Sequence, residues 1–486
     1  MPPVARDNPD DVELDNAVAE LASRFRAALD EPSRMGIDLG VGEVRRNLDE
    51  RLPETGMPAH AVLRELVDRT APGLVGSTGS RYFGYVTGGV LPAAAIAQAW
   101  VAAVDQNTGL WALGPSATEL EQLVLGWLAE MLDLPRGSAV FTSGAAGANL
   151  VSLAVARHWF GRRVGIDVND VGVGALPPLA LYGSTELHFT NVKAVRLLGL
   201  GSGCVRQVAV DEHYRLDPAA LETAIARDRA DGIEPAIVVA HVGSPNTGAV
   251  DPLPAIADLC AEHGLWLHVD AAYGAFCRLC PRTAPLTDGL ERADSVTVDG
   301  HKWLNLPNGI GFAFLRDAEL HHEALSGSAF YLSSASATGP DLHEYAVEAS
   351  RPWRGAATWA ALKALGRDGC AELVTRCCDL AVELGALVQT APRLELTAPV
   401  ATCVTCFRYR PPGAPEGEAL DRLNRQIQDR LDRDGCVLAT GGMLPSGFSL
   451  RPAIVSWRAQ RADIELLARE VERMGDELSG LRSPAR

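Results

Sequence analysis

The sequence predicts an α/β protein built on a mostly parallel sheet, for three reasons. Short apolar runs bounded by Gly, Asp or Asn read as buried strands. Segments with helical spacing alternate with them. The succession Pro235–Ala240, Leu253–His263, Leu265–Val269 reads as strand, helix, strand, the βαβ unit of a parallel sheet covered by helices. At 486 residues, 47% hydrophobic and 22% charged, the chain has the composition of a globular protein and length for about two to four domains.

Taken in order, Leu14–Leu29 has near-helical apolar spacing. Val90–Val104 is Ala-rich and apolar but shorter than the roughly 20 residues of a membrane span, so a buried helix is expected. Thr118–Leu132 is a helix with Glu119, Glu121 and Glu130 on its polar side, and Leu150–Trp159 is another. Val164–Pro178, rich in Gly, Val and Pro, reads as a surface insertion. The helix Leu253–His263 should stop at Gly264, a favoured C-cap. Ser295–Val298 and Gly311–Leu315 are further strands, Ser333–Pro340 a mobile loop and Pro411–Glu418 a second break. The expected division is an N-terminal helical arm (1–80), a large α/β domain (81–365) and a C-terminal α+β domain (366–486).

A net charge of −17 argues against a duplex-binding module, which needs a basic face. The N-terminus shows no charged n-region followed by an apolar h-region, and no segment reads as a membrane span. Cys277 and Cys280 form the single C-x-x-C, with no second ligand pair at finger-like spacing, and Cys377 and Cys378 are adjacent. The expectation is reduced thiols in a cytoplasmic protein that holds no metal.

Three places could carry chemistry. Phe141–Asn149 is a Gly-rich turn entering a helix, whose unpaired amides and dipole suit a phosphate, although it matches neither a dinucleotide nor a Walker signature. A small-residue packing turn is the competing reading. Asp270 ends an apolar strand, at the edge where open α/β sheets bind ligands, and a carboxylate buried there must meet a cation or become neutral. It could otherwise be a cap. Lys302, in Asp299–Trp303, stands among apolar neighbours that favour the neutral amine needed for a Schiff base; the alternative is a surface lysine. Cradle, carboxylate and amine in this order are the requirements of pyridoxal 5′-phosphate.

Glu262–Gly274 together with Asp299–Leu304 resembles the group II pyridoxal-phosphate amino-acid decarboxylases, the family of aromatic-L-amino-acid and glutamate decarboxylases. Arg81–Gly89, Asn107–Trp111, Ala117–Glu121, Asn246–Asp251 and Ser350–Arg354 extend the likeness over roughly Arg81 to Leu466. The resemblance implies the type I pyridoxal-phosphate (aspartate-aminotransferase-like) fold, and a homodimer with active sites at the subunit interface. It implies decarboxylation of an L-amino acid to its amine. By the same likeness Lys302 is the internal-aldimine lysine, Asp270 the partner of the pyridine nitrogen and His188 the histidine stacked on the ring. Ser143, Gly144, Ala145 and Ala146 match the phosphate loop, Ala272 the small residue under the ring and His301 the neighbour of the lysine. Ser244 is expected near the cofactor, and Arg451 resembles the arginine facing the substrate carboxylate. The side-chain pocket is expected to include Tyr82, Tyr85, Val86, Thr87, Asn107, Leu110 and Trp111, some of them across the dimer interface.

The chain departs from the family pattern in two ways. Ala146 stands where the family usually carries Ser or Thr, removing one hydroxyl from the phosphate loop. The family protonates the carbon left by CO2 with a tyrosine on a mobile loop; Tyr331 and Tyr345 are the candidates, and Tyr345 is preferred because it follows the small polar stretch and could close as a lid. If neither serves, the carbanion could react with oxygen and give an aldehyde. The rival readings are therefore a pyridoxal-phosphate enzyme with an altered outcome (oxidative decarboxylation-deamination, or another lyase or transaminase-like reaction) and a relative that only binds.

Overall fold

The computed structural model describes residues 9–32, 34–327 and 339–481. Its centre is a seven-stranded sheet of β1 (Ser138–Thr142), β2 (Leu179–Ser184), β3 (Val205–Val208), β4 (Glu234–His241), β5 (Trp266–Asp270), β6 (Ser295–Asp299) and β7 (Gly311–Leu315), in the order β1-β7-β6-β5-β4-β2-β3. β7 runs antiparallel to both neighbours and every other pairing is parallel. A smaller antiparallel sheet of β8 (Leu394–Leu396), β9 (Phe407–Tyr409), β10 (Gly441–Leu444) and β11 (Gly447–Leu450) follows in the C-terminal third. This is the α/β architecture expected of the type I fold.

Strand periodicity divides the core between the two faces of the large sheet. Leu267 and Val269 of β5 enter one apolar cluster with Val238, Ala240, Val296 and Val298, while Trp266 enters the other with Ile237 and Val239. The expected helix between β4 and β5 runs Leu253–His263 and ends on Gly264, whose φ of 66° is the left-handed cap that only glycine adopts freely. The helix after β1 is longer than its apolar stretch suggests, Ala145–Arg163, and so begins inside the Gly-rich turn.

Two expectations need correction. Val90–Val104 forms the helix Pro92–Val104, but Ile96 and Trp100 are about 60% exposed, so within one chain it is only half covered. Glu121 is not on a polar face: on the helix Pro115–Leu132 it is wholly buried, with Arg351 Nη2 at 3.4 Å and the Arg354 amide donating to it at 3.0 Å. A pairing partner 230 residues away in sequence overrides the helical pattern there. Of the loop Ser333–Pro340, only Gly339 and Pro340 fall within the described residues. The helix Gly355–Thr390 is broken at Gly366 (φ 65°, ψ 179°), between the segments that form the two sheets.

Because β1, β2, β4, β5 and β6 all point the same way, their C-terminal ends meet at one edge of the sheet. β7, running oppositely, brings its first residue, Gly311, to that edge. A side chain there would place Cβ 2.4 Å from the Gly144 backbone, so the strand and the turn after β1 are in direct contact.

Candidate active site

At this edge lies a cavity of about 400 Å³. Tyr85, Val86, Ala145, Ala146, His188, Thr190, His241, Gly243, Pro245, Asp270, Ala272, Tyr273, Asp299, His301, Lys302 and Arg451 form its wall. Lys302, on the turn after β6, sets its Nζ 5.6 Å from the centroid of the Tyr273 ring. The lysine is half-buried rather than fully removed from water.

Asp270 ends β5 and is 5% exposed. Its Oδ2 accepts from Asn149 Nδ2 and Asn191 Nδ2, both at 2.9 Å, and its Oδ1 accepts from the Ala272 amide at 3.2 Å. Burial would raise its pKa, but His241, His188, Lys302 and the Asn149 amide outweigh it and hold the carboxyl at about 2, so it is an anion. His188 caps the helix Phe189–Leu197, with Nδ1 2.6 Å from Thr190 Oγ1; burial foremost lowers its pKa, which favours the neutral ring. His241 pairs in register with Asp270 across β4 and β5, and its Nε2 receives the His188 amide at 3.4 Å.

The phosphate-loop residues sit in the turn between β1 and the helix Ala145–Arg163. Gly144 (φ 130°) makes a turn that a side chain would strain, and Ala145 and Ala146 line the cavity. The amides of a first helical turn have no helical acceptor. One of them, from Ala145, donates to Asp299 Oδ2 at 3.2 Å, and Asp299 Oδ1 lies 2.8 Å from His301 Nδ1. Arg451, after β11, lines the opposite wall and donates from Nε to the Asn246 carbonyl at 3.0 Å. Tyr85 and Val86 both have positive φ (53° and 59°), strained for a β-branched side chain in particular and often retained at ligand sites.

Several expected site residues do not reach the cavity within one chain. Ser244 is buried in the turn after β4, its Oγ against Thr247 Oγ1 at 3.0 Å and its carbonyl accepting from the Tyr273 hydroxyl; its neighbours Gly243 and Pro245 line the wall instead. Asn107 Oδ1 accepts from the amides of Gly109 and Arg351, a structural clamp. Trp111 donates to Glu119 Oε1 and packs on Gly339. Tyr345 packs its ring edge-on to His321 and tilted against His322 beside the second apolar cluster, and Tyr331 lies outside the described residues. Tyr82 is buried with Met35 and Leu438. Thr190, His241, Tyr273 and Asp299 were not anticipated, although His241 ends its apolar strand as Asp270 ends the next, the same signal.

The residues present fit a pyridine cofactor carrying a phosphate. A buried anion lining the cavity suits a protonated ring nitrogen, helix-terminal amides suit a phosphate, and the Lys302 amine lines the same cavity. A model of the pyridoxal-dependent decarboxylase conserved domain matches residues 42–410. Tryptophan decarboxylase 1 of Oryza sativa subsp. japonica is 32% identical over 436 residues, covering 85% of this chain and 84% of that protein. A 4-hydroxyphenylacetaldehyde synthase of Rhodiola rosea is 27% identical, covering 89% and 88%. The crystal structure of Oryza sativa TDC with PLP and tryptamine superposes with a TM-score of 0.88 at 28% identity, over 98% of this chain and 100% of that one. Motif order, fold and site thus agree: the chain belongs to the pyridoxal-dependent decarboxylase family and is an enzyme that works with pyridoxal phosphate.

Proposed function

We propose that this enzyme removes CO2 from an L-amino acid with an apolar or aromatic side chain and releases the amine. The observation that carries the reading is the convergence of Lys302, Asp270, His188 and Arg451 on one cavity beside the helix-terminal amides of Ala145 and Ala146. Bound pyridoxal phosphate supplies an aldehyde for the substrate amine and an electron-poor ring to take the electron pair released with CO2. Lys302 is the amine that would hold the cofactor's aldehyde. Asp270, an anion fixed by two side-chain amides, keeps a proton on the ring nitrogen. Arg451 would offer a planar fork to the substrate carboxylate, and His188 would lie against the cofactor and face the substrate. Tyr85, Val86 and Pro245 give the remaining wall its apolar character.

Tyr345 does not line the cavity, so we assign the proton-donor role to the other loop tyrosine, Tyr331. A second reading, aldehyde formation with oxygen, is favoured by that displaced Tyr345 and by the similarity to an aldehyde synthase. The apolar surface left by Ile96 and Trp100, with Leu14 and Val18 on the N-terminal arm, supports a homodimer that covers them. The test is mass spectrometry of products from the cofactor-loaded protein and its Lys302→Ala variant, incubated in air with a panel of L-amino acids. An amine lacking only CO2, absent with Lys302→Ala, supports the decarboxylase; an aldehyde with ammonia and peroxide replaces it with the second reading.

A further inference from the structure

We infer that a one-way chain of hydrogen bonds, started by the indole of Trp266, fixes both the orientation of Asp270 and the tautomer of His188. Trp266, His268 and Asp270 alternate along β5 and therefore share one face of the strand. Trp266 Nε1 lies 2.9 Å from Ser295 Oγ on β6, and indole nitrogen can only donate. Ser295 Oγ, which accepts that hydrogen bond, also lies 2.9 Å from His268 Nδ1. The Asp270 carboxylate can only accept, so Asn149 turns its oxygen to His268, whose Nε2 donates to Asn149 Oδ1 at 3.0 Å and whose neutral ring leaves Nδ1 to accept from Ser295. With its oxygen so engaged, Asn149 turns its amide nitrogen to Asp270 Oδ2 at 2.9 Å and Thr190 Oγ1 at 3.2 Å. Thr190 Oγ1 donates its hydroxyl hydrogen bond to His188 Nδ1 at 2.6 Å.

The last step is supported independently, because the Thr190 backbone amide also points at His188 Nδ1 (3.4 Å), which must therefore carry a lone pair. The single ring proton of His188 is left on Nε2. Trp266, Ser295, His268 and Asn149 are buried, so water offers no competing donor. Burial lowers the pKa of His268 to about 4, against the opposing pull of Asp270, which keeps that ring neutral and able to both accept and donate. Asn191 gives Asp270 Oδ2 a second donor but leaves Asn149 and His188 untouched. His268, Ser295, Asn149 and Thr190 are thus positioning residues: His268, Ser295 and Asn149 line no part of the cavity, and together they determine which atoms Asp270 and His188 present to it.

This rests on the reading of Asp270 as the partner of the ring nitrogen, and the test separates the two. The holoenzyme is reconstituted with pyridoxal phosphate labelled with nitrogen-15 in the ring, and the resonance is followed with pH in the wild type and in Asp270→Asn, His268→Phe and His268→Gln. Glutamine can replace both ring nitrogens, accepting from Ser295 and donating to Asn149. The expected result is a ring nitrogen protonated in the wild type and in His268→Gln, unprotonated in Asp270→Asn, and losing its proton about one to two pH units earlier in His268→Phe. An unprotonated wild-type nitrogen removes the Asp270 reading; a protonated wild type with His268→Phe unchanged removes the chain and leaves that reading standing. Should His268→Phe not fold, nitrogen-15 histidine spectra of the unaltered holoenzyme decide the matter. Neutral Nε2–H tautomers for both His268 and His188 are expected, and an Nδ1–H tautomer at either overturns the inference.

Discussion

Replacing Asp270 with Asn changes one atom and reverses a donor pattern. The carboxylate accepts on both oxygens, two side-chain amides on Oδ2 and the Ala272 amide on Oδ1. An asparagine has one oxygen, and turning it to Asn149 and Asn191 faces its NH2 group toward the Ala272 N–H and the cavity, donor against donor. Removing one member of a buried, hydrogen-bonded charge pair costs about 3–5 kcal/mol. That corresponds to a fall in kcat/KM of roughly a hundred- to several-thousand-fold, concentrated in kcat because the ring nitrogen matters most as charge develops. CO2 release by the cofactor-loaded variant is the assay. The reasoning is refuted if Asp270→Asn folds, binds cofactor as the wild type does and keeps kcat/KM within about threefold. The cofactor-free protein gives a second readout. Asp270 is held at about 2 against an ordinary 3.8, so its contribution to stability is complete above the ordinary value and is lost as pH falls through the lower one. The shift is worth about 2 kcal/mol, and Asp270→Asn should flatten the stability curve by that amount between about pH 4 and pH 2.

Other outcomes follow from the same geometry. Gly311→Ala drives a Cβ to 2.4 Å from the Gly144 backbone, so cofactor affinity, measured by fluorescence titration, should weaken at least about tenfold as the phosphate turn is displaced. Tyr345→Phe should leave the amine-to-aldehyde ratio unchanged, because its ring packs against His321 and His322 away from the cavity wall, whereas Tyr331→Phe should raise the aldehyde share; the reverse pattern sinks the assignment. Arg351→Leu strands the wholly buried Glu121 and removes the donor to the Phe141 carbonyl at 2.8 Å, which should cost about 3–5 kcal/mol in chemical denaturation.

Much of the fold was legible because buried parallel strands leave unbroken apolar runs ending in a polar residue. β4 shows this plainly, its run Ala236–Ala240 closing on His241, while β5 and β6 each close on an aspartate and hand the chain straight to the site. His241 obeys the same rule yet was passed over, since one histidine at a strand end announces no chemistry until register sets it beside Asp270. Asn107 and Trp111 misled for the opposite reason: their side chains look suited to a ligand, but a carbonyl oxygen can as well clamp the amide of Arg351, far along the chain. Glu121 defeated the helical pattern because periodicity knows only the local face and not the arginine that will arrive over it. The polar face of β5, Trp266, His268 and Asp270 inside a core strand, was a conflict visible in the sequence, and such conflicts tend to mark sites.

The carboxylate of Asp299 bonded to the Ala145 amide has a consequence for how the enzyme is first loaded. That amide belongs to the helix end that would hold the cofactor's phosphate, so one of its donors already has an acceptor within the protein. The other oxygen of Asp299 is tied to His301, the residue immediately before Lys302. One short turn thus joins the helix end that would take the cofactor's phosphate to the lysine that would bond its aldehyde, so a change at Asp299 bears on both.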